Sequence, residues 1–135
     1  MRYLLDTNAC IAILNGNPEA VQQRLDREVI ARSEVYVSSI CLFELWFGVA
    51  KSSKREFNRK RLQNFLTGPL LLLSFEAEDA EFSGEIRARL EESGHPAGSY
   101  DMLITGQAIR NELILVTANT REFGRIKGLK IENWA

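Results

Sequence analysis

Apolar positions in this chain alternate between short unbroken runs and longer runs of helical period. The short runs fall at residues 2–6, 34–39, 70–75 and 113–117, with a last short segment of alternating apolar and charged residues, "LKIEN", at 129–133. They predict strands, with "LLLLSF" at 70–75 and "LILVT" at 113–117 fully buried because no polar residue alternates along them. Between them the apolar positions recur with helical spacing over 8–15, 18–32, 40 to about 52, 54–67, 76–94, 100–111 and 120–124. Gly16, Asn17 and Pro18 predict a turn, Gly68 and Pro69 a break, and Gly94 a helix end. Strands that alternate with helices predict an α/β domain with a mainly parallel sheet. No linker, repeat or low-complexity tract divides residues 1–135, so one domain is expected.

Composition agrees with a globular chain: 135 residues, 45% hydrophobic and 26% charged. No apolar run reaches the ~18 residues a membrane span needs. Asp6 interrupts the first apolar stretch and no small-residue cleavage site follows, so no leader is expected. Cys10 and Cys41 sit in apolar helical patterns without zinc-type spacing, which predicts buried free thiols in a reducing cytosol. The net charge of −1 gives no bulk argument for nucleic acid. Its distribution is uneven. "KSSKREFNRKR", 51–61, carries Lys51, Lys54, Arg55, Arg59, Lys60 and Arg61 against Glu56 alone, and Arg121, Arg125, Lys127 and Lys130 form a second basic group. Each is open to two readings, a solvated helix face or a patch that tracks phosphates.

Three carboxylates stand alone among uncharged residues. Asp6 is the one charge between Arg2 and Glu19, where a predicted strand hands over to a helix. Glu44 is the one charge in "ICLFELWFGVA", 40–50, and Asp101 the one formal charge between Glu92 and Arg110. Asp6 can be read as a helix cap, and Asp101 as an ordinary first-turn acid behind a Ser99 cap. Glu44 resists such a reading, because a carboxylate in an apolar helix costs several kcal/mol, on the order of a buried charge, unless paired or metal-bound. Open parallel sheets build sites beyond the carboxyl ends of their strands. Asp6 lies at such an end and Glu44 about one turn into the helix after strand 34–39. Asp101 opens the helix that leads into strand 113–117, so it is expected on the opposite side unless loop 94–100 crosses back. If the three converge, their repulsion calls for a cation, and all-oxygen donors select Mg²⁺ or Mn²⁺. Asn119, after strand 113–117, can accept or ligate weakly, or cap a short helix, and Glu122 is a distal helper or a surface acid. His95 reads as an exposed loop residue. A single His does not supply the acid–base pair common in cleavage through a 2′-hydroxyl.

These segments resemble the PIN-domain ribonucleases, specifically the VapC toxins of type II toxin–antitoxin pairs. "YLLDTN" resembles the family's first strand and catalytic Asp, and "VSSICLFELWFGVAKS" its helix with the catalytic Glu. "GHPAGSYDMLITGQAI" resembles its loop, Asp and small-residue helix, and "LVTANTREFGRIKGLKIENW" its C-terminal segment with Thr117, Asn119 and Glu122. Together they cover nearly the whole chain. The resemblance implies a Rossmann-like three-layer α/β/α sandwich with a sheet of four or five strands. It places Asp6, Glu44 and Asp101 in one pocket as catalytic residues and metal ligands. It implies a cytoplasmic Mg²⁺- or Mn²⁺-dependent endoribonuclease that hydrolyses structured RNA, tRNA favoured, by metal-activated water, leaving 5′-phosphate and 3′-hydroxyl ends. It further implies homodimerisation and neutralisation by a VapB-type antitoxin. Where many PIN domains have a fourth acid this chain has Asn119, expected to act as an auxiliary group. Phe43, Trp46 and Phe47 crowd one helix and suit a protein partner. Two other readings remain at this point: a silent PIN-fold binding protein, and a Mg²⁺-binding receiver-type signalling domain. The latter needs an Asp where strand 70–75 ends in Ser74 and Phe75.

Overall fold

A computed structural model describes residues 1–135, the Ser99 side chain excepted. The chain runs β1 (Arg2–Leu5), α1 (Thr7–Asn15), α2 (Glu19–Ile30), β2 (Glu34–Ser38), α3 (Ser39–Lys51), α4 (Arg55–Leu66), β3 (Leu71–Leu73), α5 (Ala77–Glu92), α6 (Ser99–Arg110), β4 (Ile114–Val116), α7 (Thr120–Phe123) and β5 (Ile131–Glu132). The described strands form one parallel sheet in the order β3-β2-β1-β4-β5. Leu5 sits at its centre, in register with Val37 on one side and Val116 on the other. Right-handed crossovers from β1 through β2 to β3 place α1–α4 on one face, and the return from β3 to β4 places α5 and α6 on the other. The expected three-layer α/β/α arrangement results.

The core is built where the apolar runs predict it. Tyr3, Leu4, Leu5, Val35, Val37, Leu115 and Val116 are buried between the helical layers. Trp134, just after β5, is buried edge-on to Tyr3 with ring centroids 5.1 Å apart. Gly16 takes a left-handed conformation (φ 67°) at the end of α1, where a side chain would be strained. Cys10 and Cys41 are buried and free.

The strand over 70–75 departs from expectation. β3 is an edge strand: Leu71 and Leu72 are exposed, Leu72 to 58%. An uninterrupted apolar run predicts two covered faces, but β3 pairs on one side only and its helical cover is partial.

The α5–α6 pair settles which end of the sheet Asp101 occupies. The two helices are antiparallel. Arg110 near the end of α6 pairs with Asp79 at the start of α5, and the Ser83 hydroxyl donates to the Leu103 carbonyl. They approach most closely at Gly106, where an added Cβ would stand 2.0 Å from Ser83 Oγ. α6 descends towards the start of β4 and so begins at the carboxyl end of the strands. The expectation that Asp101 starts on the opposite side is therefore corrected: a helix running antiparallel to the strand it feeds begins at that strand's far end. Ser99, the expected cap, lies outside the described side chains, and Gly98 occupies the N-cap position.

Candidate active site

β1 ends at Leu5, and the Asp6 backbone N–H still donates to the Val116 carbonyl of β4. That bond fixes the residue between the two central strands. The Asp6 side chain then caps α1, its Oδ1 accepting from the Ala9 N–H at 2.7 Å. Capping α1 does not withdraw Asp6 from the cleft that it lines. Glu44 is only half-buried, against the burial its apolar helix predicts, because the face of α3 that carries it borders a cleft. The Thr7 hydroxyl donates to Glu44 Oε1 at 2.7 Å. Asp101, in the first turn of α6, reaches the same cleft.

Asp6, Glu44 and Asp101 thus line one open cavity of about 590 Å³. Phe43, Phe47 and Tyr100 form its apolar rim, and Lys51 is the cation on its wall. Phe43 and Phe47 are more than half exposed. Phe43 tilts against Tyr100 at 5.6 Å, and the Lys51 ammonium lies 5.0 Å from the Phe47 ring centroid.

The electrostatics of these acids differ from those of a structural acid. Asp6 is 6% exposed. Burial raises its pKa, the Thr117 hydroxyl and Ala9 N–H oppose the rise, and the Glu44 charge adds to it. Asp101 is raised by burial and then by the charges of Glu122, Asp6 and Glu44. Asp79 is more deeply buried, at 0% exposure, yet it holds the Arg110 guanidinium, the Glu76 N–H and the Asn111 amide. Its charge is answered within the fold. None of the cleft acids has a salt-bridge partner among the described residues.

Among the described residues no three His, Cys, Asp or Glu side chains are drawn tightly enough to enclose an ion. A cage is not required for Mg²⁺, which keeps several waters and takes one or two carboxylates directly. The donor set fits such an ion: carboxylates without a salt-bridge partner among the described residues, mutually repelling, in a cleft open enough for water.

The other predicted residues fall in different places. Thr117 is buried behind Asp6, and its Oγ1 also accepts from the Asn119 N–H at 3.0 Å. Asn119 caps α7, and its amide donates to Glu122 Oε2 at 2.8 Å, so it faces Glu122 rather than the acid cleft. In the first basic stretch only Lys51 lines the cleft. Arg61 turns inward: its guanidinium donates to the Leu14 carbonyl and to Asn15 Oδ1, tying α4 to the end of α1. Arg59 pairs with Glu56. Lys54, Arg55 and Lys60 are exposed. The reading of 51–61 as one continuous patch is corrected to this extent, since α4 directs its cations around several faces. The bond of Thr7 to Glu44 was not legible in the sequence, because it spans 37 residues.

A PIN domain model matches residues 3–129. The chain is 41% identical to ribonuclease VapC2 of Rickettsia felis, over 99% of this chain and 98% of that protein. The chain belongs to the PIN-domain family, among the VapC ribonucleases. It is 36% identical to the tRNA(fMet)-specific endonuclease VapC of Shigella flexneri, over 100% of this chain and 99% of that one. The solved structure of VapBC2 from Rickettsia felis, bound to a DNA fragment from its promoter, superposes with a TM-score of 0.93 at 38% identity and covers both chains fully. Membership of the PIN-domain family removes the receiver-type reading. No described helix of this PIN domain is long and apolar enough to cross a membrane.

Proposed function

We propose that this PIN domain is the toxin of a toxin–antitoxin pair, a cytoplasmic endoribonuclease that hydrolyses tRNA with a divalent ion and is silenced by a VapB-type antitoxin. The observation that carries this reading is the meeting of Asp6, Glu44 and Asp101 in one cleft, none of them held in a salt bridge among the described residues. The names of the relatives support the substrate: the Shigella flexneri protein is a tRNA(fMet)-specific endonuclease. The partner is supported by the VapBC complexes among similar structures.

Asp6, Glu44 and Asp101 would hold Mg²⁺ or Mn²⁺, which when bound neutralises charge on a scissile phosphate and lowers the pKa of water. The chain's own groups prepare the cleft. The Ala9 N–H and Thr117 hydroxyl orient Asp6. Thr7 fixes the rotamer of Glu44 by occupying one of its oxygens. Asn119 holds Glu122, whose charge bears on Asp101. Lys51 offers a positive rim for the RNA backbone. No His lines this cleft among the described residues, so it offers no imidazole pair for attack by a 2′-hydroxyl. The ends produced are 5′-phosphate and 3′-hydroxyl. Exposed Phe43 and Phe47, beside an apolar groove of about 270 Å³ lined by Ile11, Leu14, Val49 and Leu62, suit an antitoxin segment. The domain works as a homodimer.

Induced expression in a bacterial host tests the reading. Growth arrest with accumulation of tRNA fragments, relieved by co-expression of the antitoxin encoded beside it, is the expected outcome. Arrest with intact tRNA would reject the substrate, and no arrest from soluble protein would reject the toxin.

A further inference from the structure

Beside the acid cleft lies a second cavity that the proposed reaction does not use. It measures about 340 Å³, within the range of small-ligand sites. His95, Ala97, Asn119, Arg121, Glu122 and Arg125 contribute to its lining. It borders the acids through two residues. Glu122 lies close enough for its charge to act on Asp101, and Asn119 is bonded to Thr117, which backs Asp6.

Its chemistry is that of an anion site. Arg121 and Arg125 are exposed and form no salt bridge among the described residues. Glu122, the acid on the wall, is already engaged by the Asn119 amide. Arg125 Nη1 lies 3.3 Å from His95 Nδ1. A guanidinium can only donate, so in neutral His95 the Nδ1 accepts and the proton sits on Nε2. Arg125 thereby makes the free edge of His95 a hydrogen-bond donor. Three donor groups meet in a cavity with one committed acid.

A cluster of carboxylates repels a polyanion, and RNA must nevertheless bring a phosphate to it. Cations on both flanks answer that repulsion. Lys51 stands on the α3 flank, and Arg121 and Arg125 on the α7 flank. We propose that His95, Arg121 and Arg125 form a subsite for a nucleotide adjoining the cut, holding its phosphate beside the acids. This inference rests on the reading of the acid cleft as an RNA-cleaving site. An acidic segment of the antitoxin is the competing occupant, but it has no need to lie next to the acids, whereas a neighbouring phosphate does.

The test uses the full chain with labelled tRNA, measuring binding over a salt series and cleavage by steady-state kinetics with Mg²⁺. Arg121→Ala and Arg125→Ala should each reduce the slope of log affinity against log salt by about one. KM should rise about tenfold with kcat held within about twofold, as loss of uniform binding requires. His95→Ala should raise KM with the slope unchanged, and Arg125→Lys should restore the slope. Thermal melts confirm that these surface variants remain folded. Cleavage by all variants with wild-type slope and KM would overturn the subsite alone. Loss of antitoxin affinity with tRNA binding unchanged would overturn it in favour of the protein partner. A wild-type protein that binds tRNA and never cuts it would overturn the proposed function and the subsite with it.

Discussion

The Thr7 hydroxyl donates to Glu44 Oε1 across 2.7 Å, joining the first turn of α1 to the middle of α3. These residues are 37 positions apart, and the bond is the one fixed contact of the Glu44 carboxylate among the described residues. It leaves the other oxygen free towards the cleft.

Removing that donor should slow the reaction without dismantling the fold. Thr7→Val keeps the shape and loses the hydrogen bond, and cleavage should fall roughly 10- to 100-fold, the usual range for a group that orients a ligand. Thr7→Ser should recover most of the rate. Single-turnover cleavage of tRNA measures both. A Thr7→Val rate equal to wild type would show that Glu44 needs no orientation.

The raised pKa values of Asp6 and Asp101 have a thermodynamic consequence. Between the ordinary carboxylate value of 3.8 and the raised values, the folded protein holds more protons than the unfolded chain. The stability these two groups contribute is therefore greatest below that window and falls as pH rises through it. Asp6→Asn removes one charge from the repelling cluster while Asn still caps α1. The metal-free variant should melt roughly 2–5 °C higher than wild type at pH 7. Mg²⁺ should raise the melting temperature of wild type and leave that of the variant nearly unchanged. Scanning calorimetry with and without Mg²⁺ gives both numbers, and a lower melting point for the metal-free variant would contradict the repulsion.

Arg61 and Lys51 should separate into different roles. Arg61→Ala loses hydrogen bonds to Leu14 and Asn15 and should cost about 1–2 kcal/mol of stability, with the salt slope of RNA binding unchanged. Lys51→Ala should leave stability alone and reduce that slope by about one. Urea titrations and binding over a salt series distinguish them. A reduced slope for Arg61→Ala would return it to the RNA-binding surface.

The two cysteines should be inert in the native protein. Burial drives the Cys41 thiol up to about 12, and Cys10 is also held well above its ordinary value. At pH 8 neither has appreciable thiolate, the reactive form. Iodoacetamide followed by mass spectrometry should find no label on the folded chain and two on the chain unfolded in guanidinium. Rapid labelling of the folded chain would mean that the core opens.

Much of this was written in local patterns. Strand and helix positions followed apolar period, and the cleft acids announced themselves by standing alone: a charge among ten uncharged neighbours needs a reason. The same logic overlooked Asp79, because "EAED" surrounds it with other acids and its burial depends on Arg110, 31 residues away. It overstated the burial of Glu44 and of Leu71 and Leu72, since an apolar run does not say whether its last face meets a core, a cleft or the edge of a sheet. Arg61 looked like one more cation in a basic run until α4 packed beside the end of α1. Each of these depends on contacts between distant segments, which no local window contains.

The central claim is that Asp6, Glu44 and Asp101 act together, through a divalent ion, to cut RNA. Purified protein incubated with tRNA should cleave in Mg²⁺ or Mn²⁺, stop on chelation with EDTA and resume when the ion is restored. Asp6→Asn, Glu44→Gln and Asp101→Asn, each shown to be folded, should be inactive throughout. Cleavage that persists after exhaustive chelation, or near wild-type cleavage by any one of the three variants, would contradict it.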